Sequence, residues 1–456
     1  MESEGIKRYL RELRPTAFED IVAMVALYRP GPIQFIPEYI ARKHKKKKIE
    51  YLHPKLKPIL EETQGICIFQ EQLMRVAQDL AGFSLSEADI LRKAVGKKIK
   101  ELLISQQEKF IQGMIKNGIK KEIASKIWEW ILPFASYGFN KSHSLAYAII
   151  AYQTAYLKAY FPIEFMSALL TSEKADVERI SVLINECKNM GIEVLPPDIN
   201  ESFRNFSVVP KENKIRFGLL AIKNVGSNIV EAIIKERKEN GPFKSFSDFI
   251  SRINSKDLNK KSLESLIKVG VFDKFEERNK LLSNIEKILE DNRELQRNKN
   301  NGQKNLFEKI TNSSPPFNLK SAEAADLQQK VLWEKELLGL YISSHPLEGF
   351  KKILERKALP IKELKESTAN FSNYKIRIGG IISSIKKILT KKGQPMLFLN
   401  LEDLTDRIEV VVFPSVIERN PSLFIENKIV FINGKVEPWH DPPKMICEDI
   451  EEIIEK

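Results

Sequence analysis

The sequence predicts a multidomain α+β chain: a mostly helical body and a tandem helix-hairpin-helix, followed by a small five-stranded OB-type β-barrel. Three observations carry this. Apolar residues recur at helical spacing over the first 200 or so positions, as in KEIASKIWEWILPFA and ISVLINECKNMGI. After residue 372 the period drops to two: YKIRIGGIISSIKKIL, PMLFLNLEDLTDRIEVVVF and NKIVFINGKVEP supply about five strands with glycine-bearing turns, which suits a small barrel. Between these regions LEDNRELQRNKNNGQKN has the composition of a linker.

Within the helical part the breaks are turn-like: RPGP at 29–32, LHPKLKP at 52–58 and LPPDIN at 195–200. Residues 145–161 approach membrane-span length, but Gln153, Lys158 and four tyrosines interrupt them and Pro162 closes the run, so they read as a buried core helix. FSVVPKENKIRFG reads as a short hairpin with a polar KEN turn. LLAIKNVGSNIVEAIIKER and KSLESLIKVGVFDKF read as two helix–turn–helix units, each with a glycine (Gly226, Gly270) in its hairpin. The boundaries expected are 1–200, 201–290, 291–370 and 371–456. No repeat of solenoid period stands out.

The composition narrows the function. With 456 residues, 43% apolar and 29% charged, the chain builds real cores, and its net charge of +12 favours polyanionic partners. Three well-separated cysteines (Cys67, Cys187, Cys447) make neither a disulfide framework nor a zinc spacing. The start, MESEGIKRYLRELRP, has no apolar signal core, so a cytoplasmic protein with no membrane partner is expected.

Four clusters could grip anions. In YGFNKSHSLAYA, Asn140, Lys141, Ser142 and His143 open an apolar helix, where unpaired N–H groups and the positive dipole end attract phosphate; the same residues also read as an ordinary N-cap. RPGP fixes the direction of Arg29 ahead of Arg42, Lys43, His44 and a lysine run, a pattern suited to backbone phosphates or to plain solvation. FQEQ places Gln72 at a helix start, where capping is the alternative. LRKAVGKK sets Arg92, Lys93 and Lys97 within two turns, one basic stripe facing phosphate or water.

Taken in order, RPGP, RKH, FQEQ, LRKAVGKK and GFNKSHS resemble the fingers domain of the bacterial replicative DNA polymerases, the DNA polymerase III alpha subunits. The likeness continues through PIEFMSALLTS, LPPDIN, FGLLAIKNVG, LESLIKVGVFD and LLGLYISSHPL to the barrel. It implies that Asn140, Lys141, Ser142 and His143 lie near incoming nucleotide, that the hairpins bind primer–template DNA through Lys223, Asn224, Gly226 and Gly270, where the residues alone also read as plain helical hairpins, and that the barrel takes single-stranded template. Gln303, Leu306 and Phe307 of GQKNLF look like the family's sliding-clamp motif, an amide with two apolar anchors.

The chemistry of that family needs paired carboxylates on a palm domain for two metal ions. No Asp-x-Asp occurs in residues 1–456, so no catalytic or metal-binding residue is assigned here. Magnesium is expected on a palm-bearing N-terminal segment, of which this chain is the C-terminal counterpart. Arg92–Lys93 stands where many relatives carry two arginines, which turns a bidentate contact into a point charge. Clamp-loader and exonuclease subunits are further candidate partners. The rival reading is a non-catalytic accessory protein that binds DNA and clamp.

Overall fold

The computed structural model describes residues 3–96, 100–135, 138–253, 258–300, 319–342, 344–367, 371, 374–390, 393–437 and 443–453. The chain divides into two compact units, residues 1–165 and 166–456.

The first unit is helical: α1 Glu4–Leu13, α2 Phe18–Leu27, α3 Ile36–Lys43, α4 Lys57–Leu60, α5 Gln70–Ala81, α6 Leu85–Gly96, α7 Lys100–Lys116, α8 Lys121–Ala135 and α9 Lys141–Tyr160. It holds two cores. One gathers Leu73, Val76, Leu80, Leu91, Phe110, Trp128 and their neighbours between α5, α6, α7 and α8. The other packs Leu13, Met24, Leu27, Ile36, Tyr39 and Phe69 beneath α2, α3 and α9. The extended stretch Ile66–Phe69 leads into α5, with Ile66, Ile68 and Phe69 in this second core and Cys67 in the first.

α9 departs from the buried core helix expected of it. Among its residues Ser144 and Ala148 are buried, while Leu145, Tyr147, Ile149, Ile150, Tyr152, Tyr156, Leu157 and Tyr160 are exposed. The cause is its contact with α2. Small residues let the two backbones approach, and the Ser144 hydroxyl donates to the Val22 carbonyl at 2.5 Å. One narrow stripe is buried, and the helix is apolar well beyond it. No helix among the described residues is long and apolar enough to cross a membrane.

In the second unit, α10 Pro162–Ser172 and α11 Val177–Asn189 lead into β1 Glu193–Leu195, β2 Ser207–Val208 and β3 Lys214–Arg216. β2 and β3 form the expected hairpin, pairing Val208 with Ile215. β1 runs parallel to β3, a three-residue strand inside a stretch that reads as helical; a partner strand twenty residues on decides it. The first hairpin unit keeps only a 3-10 turn, Leu219–Ala221, before α12 Ser227–Asn240. α13 Phe246–Arg252, α14 Lys260–Lys268, α15 Arg278–Ser283 and α16 Ile285–Asn300 follow. α16 runs into the predicted linker, because Ile285, Ile288 and Leu289 anchor a helix that Glu, Leu, Arg and Gln then extend. Asn284 receives the Lys320 N–H and donates to the Lys320 carbonyl, both at 3.0 Å, which ties the returning chain to the hairpin module. α17 Leu327–Leu338 then places Glu334, 1% exposed, against Arg278.

The barrel is closed and five-stranded, in the order β4–β5–β6–β8–β7: β4 Ile376–Leu389, β5 Pro395–Glu402, β6 Arg407–Val412, β7 Ile429–Glu437 and β8 Lys444–Glu452. Period-two alternation turns Leu397, Leu399 and Leu401 inward with Ile378, Val410, Ile432 and Met445.

Candidate nucleic-acid interface

In the first unit the segment before α9 is held against the start of α5. Gln70 N–H donates to the Phe139 carbonyl at 3.0 Å, Phe139 N–H to the Ile68 carbonyl at 3.2 Å, and the Gln70 amide to Gly138 at 3.0 Å. The phenylalanines on this bridge serve as platforms. The Arg29 guanidinium lies 4.0 Å from the Phe139 ring centre, and the His143 ring is 5.1 Å from the same ring. Burial lowers the Arg29 pKa, yet a guanidinium remains charged at any physiological pH. Arg92 reaches the Gln70 side chain at 3.3 Å while held to Asp89 at 2.8 Å, and Lys93 pairs with Asp89 at 2.7 Å. The fold therefore gathers Arg29, Arg92, Asn140, Lys141 and His143 around one short bridge, with Ser142 exposed beside them.

The start of α9 already holds an anion, and the protein supplies it. Glu71 accepts from the Lys141 N–H with both carboxylate oxygens at 3.0 Å and from the Asn140 amide at 3.0 Å. Asn140 caps the helix through the His143 N–H at 2.8 Å, worth about 1 kcal/mol. The Lys141 ammonium meets Glu62 at 2.8 Å. Sequence reasoning missed Glu71 as a member of this site; no local pattern links it to a residue 70 positions away.

Four other predicted anion contacts are engaged inside the fold. Arg42 donates to the Gln64 carbonyl at 2.9 Å and pairs with Glu38 at 2.5 Å. Lys43 forms a largely buried pair with Asp20 at 2.5 Å and donates to Thr16 at 2.9 Å. Burial alone would raise the Asp20 pKa, but Lys43 and the N–H groups of Thr16 and Ala17 outweigh it and hold the carboxyl below its usual range. The His44 ring reaches the Glu12 carbonyl at 3.0 Å. Gln72, 6% exposed, accepts from the N–H groups of Ile68 and Phe69 and donates to Ile59 and Thr63. Arg42, Lys43 and Gln72, expected as phosphate contacts, are here engaged in the scaffold that sets the Ile66–Phe69 segment and α3. Lys97, Gln303, Leu306 and Phe307 lie outside the described residues.

The first hairpin of the second unit is open. Lys223 and Gly226 are exposed, Asn224 takes a left-handed φ of 66° and its amide reaches Ser265 at 3.2 Å. Gly226 caps α12 with an ordinary φ of −82°, and a side chain there would meet nothing within 4 Å. Its N–H and those of Ser227 and Asn228 donate to no acceptor among the described residues. A helix start in this state accepts an oxyanion from outside.

Gly270 differs. It ends α14 at φ 80°, its N–H donates to the Ile267 carbonyl at 2.9 Å, and an added Cβ would sit 2.2 Å from the Arg278 guanidinium. The glycine makes room for the Arg278 side chain and its partners Asp273 and Glu334.

On the barrel, Phe398 points outward beside Lys386, its partner on β4, with the Lys444 ammonium 5.9 Å from its ring. Nearby, Ser384 and Asn400 hydrogen-bond at 2.9 Å. This is an aromatic and cationic surface of the kind that stacks bases and tracks a backbone.

Comparison with known proteins gives the same order. Residues 1–118 match the bacterial DNA polymerase III alpha subunit finger domain, residues 191–282 a helix-hairpin-helix motif, and residues 376–453 an OB-fold nucleic acid binding domain. DNA polymerase III subunit alpha of Borreliella burgdorferi is 42% identical over 457 residues, covering 99% of this chain and 40% of the relative. That of Aquifex aeolicus is 42% identical over 440 residues, 95% of this chain and 36% of the relative. That of Thermus aquaticus is 41% identical over 421 residues, 91% and 34%. The chain thus spans about two fifths or less of the length of these relatives. With finger, hairpin and OB-fold matches in sequence and about 40% identity across nearly all of its length, the chain belongs to the family of bacterial DNA polymerase III alpha subunits.

Proposed function

We propose that this chain holds primer–template DNA and incoming deoxynucleotide for a replicative DNA polymerase in the cytoplasm. The observation that carries the reading is the pairing of family membership with an open, unfilled helix start at Gly226. Duplex phosphates meet the hairpin Lys223–Gly226, and single-stranded template lies over Phe398 on the barrel. Incoming triphosphate meets Arg29, Arg92 and the Asn140–His143 cluster, where it takes the place of the Glu71 carboxylate. The linker peptide with Gln303, Leu306 and Phe307 engages a sliding clamp. Clamp-loader and exonuclease subunits are partners of the complete enzyme.

Among the described residues no three His, Cys, Asp or Glu side chains converge to hold a metal ion. Magnesium is read here as held by a palm-bearing segment, and no metal-dependent step is assigned to this chain. The chemistry belongs to a palm-bearing segment, and the exposed apolar side chains of α9 offer that segment a docking surface.

The test is primer extension with magnesium and four deoxynucleotides, by the chain alone and mixed with a palm-bearing segment of a relative. Synthesis only on mixing is expected. DNA binding with no synthesis on mixing would favour a non-catalytic accessory protein, and synthesis by the chain alone would mean that its carboxylates do the chemistry.

A further inference from the structure

Beside the first hairpin lies a cleft that the preceding assignments leave unused. It measures about 510 Å³ and opens between residues 203–207 and one face of α12. Glu231, Ile234, Lys235 and Lys238 line it; they recur at three- and four-residue spacing and so share that face.

The floor is apolar: Phe206, packed on Phe217 with ring centres 4.6 Å apart, together with Ile234 and Phe203. Phe203 is 54% exposed, with the Arg237 guanidinium 5.1 Å from its ring centre. The rim is cationic. Arg204, Lys235 and Lys238 line it with one carboxylate, Glu231, which pairs with Arg204 at 2.8 Å, while Lys235 pairs at the surface with Glu239 at 3.9 Å. Lys238 has no carboxylate partner among the described residues.

α12 joins this cleft to the open hairpin. From Ser227 to Lys235 is about 12 Å along the helix axis, or three to four nucleotide steps at roughly 3.4 Å each. We propose that the cleft takes one unstacked base of the single strand that continues from a duplex held at the start of α12. The base lies against Phe203 while its flanking phosphates meet Lys235 and Lys238. The assignment rests on reading the hairpin as a phosphate site. An aromatic face beside cations suits any base, because stacking needs only a flat ring. A continuous duplex keeps its bases inside and cannot fill the cleft. An acidic peptide would use the cations but leave Phe203 without a flat partner.

The test uses the full chain and two labelled probes: a duplex with a five-thymidine single-stranded overhang, and the same duplex blunt-ended. Phe203→Ala should weaken overhang binding about tenfold and change blunt binding less than about twofold. Phe203→Trp should keep overhang affinity, since indole stacks at least as well. Iodouracil in the overhang should crosslink to the peptide carrying residues 203–207. Wild-type overhang affinity in Phe203→Ala, or crosslinks confined to the barrel, would overturn the proposal while blunt binding stands. Failure of the unmodified chain to bind the blunt duplex would remove the hairpin reading itself, and with it the delivery of a strand to the cleft.

Discussion

The loop before α9 and the hairpin before α12 share a plan: a glycine, an asparagine, a lysine and the leading N–H groups of a helix. In the first, Glu71 sits on the Lys141 N–H and Glu62 takes the lysine side chain. In the second, Lys223 stays exposed and the N–H groups of Gly226, Ser227 and Asn228 have no acceptor among the described residues. Residue types alone make both helix starts attractive to anions. Whether the protein already answers that attraction depends on chain far away in sequence, and only the fold supplies it.

The sharpest way to break the comparison is through the cations. Lys43→Ala leaves Asp20 buried and unpaired, so the first unit should lose about 3–5 kcal/mol in denaturant unfolding. Lys223→Ala should change stability by less than about 0.5 kcal/mol and instead lower the salt slope of DNA binding by about one. A stable Lys43→Ala variant with lost DNA affinity would reverse the two assignments. The Asp20 carboxyl titrates below its unfolded value. Its contribution is therefore complete above about pH 4, lost as the pH falls through the folded value, and constant from pH 5 to 8. Acid unfolding followed in Asp20→Asn should show a shallower acid limb; an unchanged limb would mean that another group governs it.

The two hairpin glycines come next. Gly270→Ala places a methyl against Arg278 at a left-handed φ and should cost about 1–3 kcal/mol. Gly226→Ala meets open space at an ordinary φ, so thermal unfolding should barely move while duplex affinity drops. Equal effects of the two on stability would mean that both glycines serve the fold alone. The smallest expected effect is at the filled site. Glu71→Ala should expose the start of α9 and raise pyrophosphate affinity by up to about fivefold, the 0.3–1 kcal/mol of a helix dipole at a surface. Unchanged affinity in calorimetry would show that Glu71 does not compete for that position.

Much of the fold was legible where a single period ran long. The barrel strands follow from a period near two, clearest in β5, and the helices of the first unit from 3.6-residue spacing. What escaped has physical reasons. β1 is three residues long and exists because β3 lies beside it. α9 is apolar all round, and a pattern apolar all round does not say which stripe finds a partner; Ser144 and Ala148 do, because they are small. In the candidate site Asn140 and Gly226 were readable from turn and cap chemistry. Arg42, Lys43 and Gln72 were readable as polar residues in a suggestive order, but their direction was not. A side chain at a helix start faces core or solvent according to what packs above it, and Thr63, Ile59 and Asp20 decide that here.

In the barrel β6 meets β8 and β7 returns to β4, so each of the five strands is paired on both sides along part of its length. A neighbouring molecule finds less open edge there for strand addition than an open sheet would offer. Closure of the sheet guards the barrel against edge-to-edge association, where an open sheet of the same apolar strands would invite fibres.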